Sequence, residues 1–110
     1  MVKVRAFIGF DFFAAANLFH ELRNGPRPAG IYTFNSSVKI VYPNGDVLLF
    51  AGANSITDPR TQIEHFDFER LAGQKLDEII LSPSVPVNVE PLLRTYLAEG
   101  GTIRVGVPTL

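Results

Sequence analysis

Any chemistry in this chain must come from a short set of side chains: one Gly-x-Asp step, one acidic pair, two histidines and two closely spaced serines. Gly9-Phe10-Asp11 falls where an apolar run gives way to a helical pattern. In nucleotide-binding folds this position is a glycine-rich turn whose amides face phosphate at the helix N-terminus. Here one glycine stands with bulky aromatics and an acid, no lysine follows, and Asp11 would repel a phosphate. Helix capping is the ordinary use of Asp at such a place, so P-loop nucleotide hydrolysis is excluded.

Asp77-Glu78 stands before the apolar run Ile79-Ile80-Leu81. The acids of a Walker B site follow their strand, at the end nearest the magnesium ion. This pair therefore belongs to the opposite end and reads as a solvated strand end, since unpaired acids are rarely buried. His20 and His65 are the only histidines. A metal site would need both and a carboxylate in one place, and their separation along the chain makes surface positions the expectation. Ser82 and Ser84 lack the Gly-x-Ser-x-Gly elbow of a hydrolase. Only a Ser–His–acid group assembled by the fold would activate them.

Composition narrows the classes further. A chain of 110 residues is one domain, 1–110, large enough for a core of its own. Hydrophobic residues make up 46%, with nine Phe, so the chain folds. A net charge of −1 gives no general attraction to nucleic acid or to acidic membranes. The lack of cysteine removes disulfides, thiolate metal sites and cysteine nucleophiles. No signal peptide and no apolar run of about 18 residues is evident, so a soluble, cytoplasmic protein is expected. No cofactor and no metal are expected.

The elements that would position these residues follow from periodicity. Val2–Ile8 reads as a strand that becomes fully apolar toward Gly9. Asp11 caps a helix over Phe12–Asn24, whose stripe of Phe12, Ala15, Ala16, Phe19 and Leu22 faces the sheet. Phe13 lies nearer the polar side and suggests a further contact. Gly25, Pro26 and Pro28 end the helix. Ile31–Phe34 is a short strand, and Val38–Tyr42, Pro43-Asn44-Gly45 and Asp46–Ala51 form a bulged hairpin. The aperiodic stretch 52–62 is the natural mobile or functional loop. A short helix within Ile63–Leu71, the central strand Leu76–Leu81, a second helix over Val89–Ala98 capped by Asn88, and a last strand Thr102–Val107 complete the chain. The order predicts an α/β fold with Rossmann-like layers: a small mixed sheet of about five to six strands, two main helices and an inserted β-hairpin.

The segment from Val38 to Pro83 resembles the core of phage terminase-like and helicase-like ATPases. The residues that carry the likeness are the hairpin Val38-Lys39-Ile40-Val41-Tyr42-Pro43-Asn44-Gly45-Asp46-Val47, the step Leu71-Ala72-Gly73 and the strand Leu76-Asp77-Glu78-Ile79-Ile80-Leu81. The Walker A loop is missing, and Ser82-Pro83 stands where the Walker B acids would follow. The resemblance thus implies a core without ATPase residues, a binding protein of phage or mobile-element type.

The leading expectation is a small non-enzymatic binding protein acting on a macromolecular partner or on itself as a homo-oligomer. Phe13, Phe66 and Phe68 are the candidates for that interface. A second expectation is a small-molecule or nucleotide binder at the C-terminal edge of the sheet, using Gly9, Asp11, Asn17, Asn35, Ser82 and Ser84. A third is an enzyme with a histidine–carboxylate site, which requires His20 or His65 beside a carboxylate in a cleft.

Overall fold

A computed structural model describes residues 2–110. Among the described residues eight strands, one long helix, one short helix and several 3-10 turns alternate: β1 (Val4–Gly9), α1 (Phe12–Asn24), β2 (Thr33–Asn35), β3 (Lys39–Val41), β4 (Val47–Gly52), β5 (Ser55–Thr57), β6 (Glu64–Phe66), β7 (Leu76–Leu81), α2 (Glu90–Leu93) and β8 (Leu97–Val105). Six strands form one mixed sheet in the order β2-β3-β4-β1-β7-β8, and β5 and β6 pair separately. β4, β1, β7 and β8 are mutually parallel, while β3 runs antiparallel to both β2 and β4. The fold is therefore the expected α/β architecture with the hairpin at one edge. A Cα radius of gyration of 14.0 Å is close to the roughly 13 Å of a compact domain of this length.

Alternation along the strands builds a core on each face. Phe7, Leu48, Phe50 and Ile80 project toward α1, which contributes Ala15 and Phe19. Ala6, Ile8, Ala51, Ile79 and Leu81 project to the other face, where Phe68, Leu71, Val89 and Leu93 cover them. α1 keeps its expected span: Asp11 Oδ1 accepts the Ala14 N–H at 2.7 Å, and Gly25 closes the other end through Glu21 O. The hairpin keeps its turn, with Gly45 at φ +92° and its N–H donating to Tyr42 O at 2.9 Å.

Three segments depart from the sequence reading. The stretch 52–62 contains β5, which pairs with β6. The segment after β6 is a 3-10 turn, Asp67–Leu71, with the Glu69 carboxylate accepting the Phe66 N–H. The expected ten-residue second helix is reduced to α2 between 3-10 turns at Val87–Val89 and Arg94–Tyr96, and no side chain caps it. The β-branched Val87, Val89 and Thr95 lower helix propensity along this segment, and 3-10 turns occur in such short pieces. Thr95, whose hydroxyl donates to Leu92 O at 2.9 Å, sits in such a turn. β8 then starts earlier than expected, at Leu97, and bulges between its Leu76↔Leu97 and Glu78↔Thr102 pairs.

Candidate functional site

The C-terminal ends of β1, β4, β7 and β8 form one edge, and Gly9, Asp11, Ser82 and Ser84 stand at or just beyond these strand ends. Backbone closes it. Ser82 N–H donates to Ile8 O, Ala53 N–H to Gly9 O (both 2.9 Å) and Gly106 N–H to Leu81 O at 2.8 Å. A Cβ on Gly52 would lie 2.4 Å from both Asp11 C and Phe12 N, and one on Gly9 would lie 2.9 Å from Ala15 N. The start of α1 therefore rests directly on the strand ends. Its first turn caps on Asp11. The Asp67 carboxylate accepts the Gly52 N–H at 2.7 Å and fastens the following segment to the same edge.

The other expected ligand residues lie apart. Asn17 is exposed further along α1. Asn35 is level with Ala6 through the pairs Asn35↔Lys39, Lys39↔Leu49 and Leu49↔Ala6, three strand spacings or about 14 Å from β1. Its Oδ1 accepts both the N–H and the hydroxyl of Ser37 at 2.9 Å. The Ser82 and Ser84 hydroxyls bond each other at 2.8 Å, and no histidine hydrogen-bonds to either. His20 is exposed on α1 with its ring against Phe19, 5.3 Å between centroids. His65 lies 3.6 Å from Glu69, with both side chains about half exposed. Among the described residues no group of three or more His, Cys, Asp or Glu side chains could hold a metal.

Of the aromatic candidates, Phe13 is 78% exposed, Phe66 is partly buried, and Phe68 is 2% exposed. The expectation that Phe68 lies at an exposed interface is corrected: its ring is core. It stacks on Phe66 with centroids 5.0 Å apart and meets the Tyr96 ring edge-on at 6.0 Å.

Two cavities lie away from the strand ends that were expected to bind. The larger, about 550 Å³, opens at the N-terminal ends of the parallel strands and is lined by Lys3, Arg5, Asp46, Asp77, Glu78, Glu99, Gly100 and Thr102. The acidic pair is here, at the end its place before the strand implied. Its charges are engaged: Asp77 accepts the Val4 N–H at 2.8 Å, and Glu78 binds Arg104 at 3.2 Å. Asp46 accepts the Lys3 N–H at 3.0 Å, and this bond holds its carboxyl below the usual range. Arg5 lies over the Tyr42 ring, 5.2 Å from its centroid. Burial raises the Tyr42 hydroxyl pKa, and the Arg5 charge opposes that rise.

The second cavity, about 310 Å³, lies between the β6–3-10 segment and the α2 region, lined by Glu64, Phe66, Phe68, Glu69, Pro91, Leu92, Thr95 and Tyr96. Sequence reasoning missed it because its walls are some thirty residues apart in the chain. The available signal was Glu64, Phe66, Phe68 and Glu69 close together, aromatics bracketed by acids.

Comparison of the chain with protein-family models, with curated proteins and with solved structures finds no match. The reading of function rests on the geometry.

Proposed function

We propose that this chain is a non-enzymatic binding module that acts through a macromolecular partner or a second copy of itself, and that the partner strand adds at the free edge of β8. The observation that carries the reading is the edge itself. β8 is the longest strand and has a neighbour on one side only. Gly106 donates its N–H to β7, so by the alternation of a strand the N–H groups of Ile103 and Val105 point away from the sheet. An open row of donors and acceptors is a template for strand addition. Val105 and Val107 beside it are 65% and 52% exposed. The carboxylates of Asp11, Asp46, Asp67, Asp77 and Glu78 are held in hydrogen bonds or ion pairs within the fold, which supports a role in binding over catalysis. The likeness of Val38–Pro83 to terminase-like and helicase-like cores fits the same role, a phage or mobile-element core that binds without hydrolysing.

A second copy is the first partner to test. Light scattering over a concentration series should show a dimer, and hydrogen exchange should slow at Ile103 and Val105 as it forms. Val105→Pro removes an outward N–H without touching the β7 ladder, and should abolish association while the thermal midpoint holds. A strict monomer, with those two amides exchanging freely at every concentration and no partner recovered by pull-down, would sink the reading.

A further inference from the structure

The groove between β6 and α2 has a composition that selects one class of ligand. Its aromatic wall is the partly buried Phe66, stacked at 13° on the core ring of Phe68, with the Tyr96 ring standing at 83° to Phe68. Pro91 and Leu92 add apolar surface, and the two ionisable acids of the lining, Glu64 and Glu69, are both exposed. No lysine or arginine lines it. The nearest arginines in sequence are directed elsewhere. Arg94 is paired with Glu90 at 2.7 Å, and Arg70 lies over the Phe12 ring, 4.7 Å from its centroid. The Thr95 hydroxyl is spent on Leu92 O. Glu69 is fixed in place because its carboxylate accepts the Phe66 N–H, and His65, 3.6 Å away, offsets its charge only when protonated. The charge of Glu69 reaches the cavity wall: burial raises the Tyr96 hydroxyl pKa, and Glu69 adds to the rise.

Aromatic faces carry a negative quadrupole and attract a cation that has shed its water. Carboxylates at the rim add a second attraction of the same sign. An anion would meet repulsion from both carboxylates, and a neutral apolar molecule would gain nothing from the charge. A volume of about 310 Å³ stands at the small end of ligand pockets, enough for one compact head group. From the aromatic corner, the two rim carboxylates and the lack of a lining cation, we infer that this groove binds the alkylammonium head of a small organic cation.

Choline is the probe, titrated by NMR shift changes and calorimetry, and 3,3-dimethylbutan-1-ol is its neutral isostere. Choline should shift the amides of 64–69 and 91–96 and bind at least about tenfold more tightly than the isostere, the scale of a desolvated cation–aromatic contact. Phe66→Leu keeps apolar volume but loses the ring, and should weaken choline about tenfold while leaving the isostere unchanged. Glu64→Gln, at an exposed position that leaves folding intact, should weaken choline several-fold. Phosphocholine, with its added anion, should bind more weakly than choline. Equal affinity for choline and the isostere would overturn the inference, as would choline binding indifferent to Phe66→Leu and Glu64→Gln, or no shift at millimolar choline. None of these outcomes bears on the β8 edge, so the two proposals fail separately.

Discussion

Asp11 separates a structural use of the C-terminal edge from a ligand-binding one. Its backbone is extended, at φ −141° and ψ 178°, and its Oδ1 accepts the Ala14 N–H at 2.7 Å. The first turn of α1 holds no other acid, so Asp11 is also the carboxylate set against the positive end of that helix. Asp11→Ala removes both effects. Loss of an N-cap costs about 1 kcal/mol, and loss of a charge at the helix start costs about 0.5 kcal/mol. Unfolding entropy near 2.1 cal/mol/K per residue gives roughly 0.23 kcal/mol/K for this chain, so the thermal midpoint should fall by about 6 °C. Asp11→Asn keeps the acceptor and loses only the charge, and should cost about 2 °C. The charge part should shrink in high salt, while the cap part should persist. Circular dichroism melts of the three proteins at low and high salt make the measurement, with no ligand present. An Ala variant within 1 °C of the parent, or an Asn variant as unstable as Ala, would refute the capping argument and return Asp11 to the list of ligand groups.

Two further outcomes follow from burial and charge. Phe68→Ala empties a position that is 2% exposed and ringed by Phe66 and Tyr96, and should cost about 3–5 kcal/mol in urea unfolding. Phe13→Ala, at 78% exposure, should stay within about 0.5 kcal/mol of the parent; a Phe68→Ala cost below that of Phe13→Ala would contradict the core assignment. Asp46, whose folded pKa is depressed below its ordinary 3.8 chiefly by the Lys3 N–H, contributes stability that is present above about pH 4 and lost as pH falls through the lower folded value. Since the carboxyl is open to solvent, the effect is under about 1 kcal/mol. Asp46→Asn should be slightly less stable than the parent at pH 6, and that gap should close by about pH 2 in parallel urea titrations; a gap that widens in acid would show the sign to be wrong.

The features legible in the sequence are those set by neighbours along the chain. α1 was legible because Asp11, the spacing of Ala15 and Phe19, and Gly25-Pro26 all agree on one element. The hairpin was legible because Pro43-Asn44-Gly45 admits few other turns. The place of Asp77 at the N-terminal end of the strands followed from its order in β7 alone. What could not be read depends on packing between distant segments. Phe13 and Phe68 both stand next to another aromatic and an acid within two residues, yet one is solvent-exposed and the other is core. The difference is that Phe68 joins the core on one face of the sheet, in the turn that packs on β4, and lies beside Tyr96, a neighbour supplied by a segment 28 residues later in the chain. The same distance hid the aromatic groove, since each wall by itself reads as an ordinary core stripe.

The missing second helix has a consequence of the same kind. By ending its crossover early, the chain lengthens β8 to Leu97–Val105 and carries Glu99 and Gly100 outward through a bulge. A full helix over 89–98 would have used the residues that now form the start of that strand, and would have left a shorter edge. The 3-10 turns that replace it also set Leu92, Thr95 and Tyr96 against Phe66 and Glu69. One local change, the breaking of the expected helix into short turns, therefore shapes both the open strand edge and the acidic aromatic groove. A variant that restores helix propensity in 87–96 should weaken both together, whereas Val105→Pro and Phe66→Leu should each affect only one.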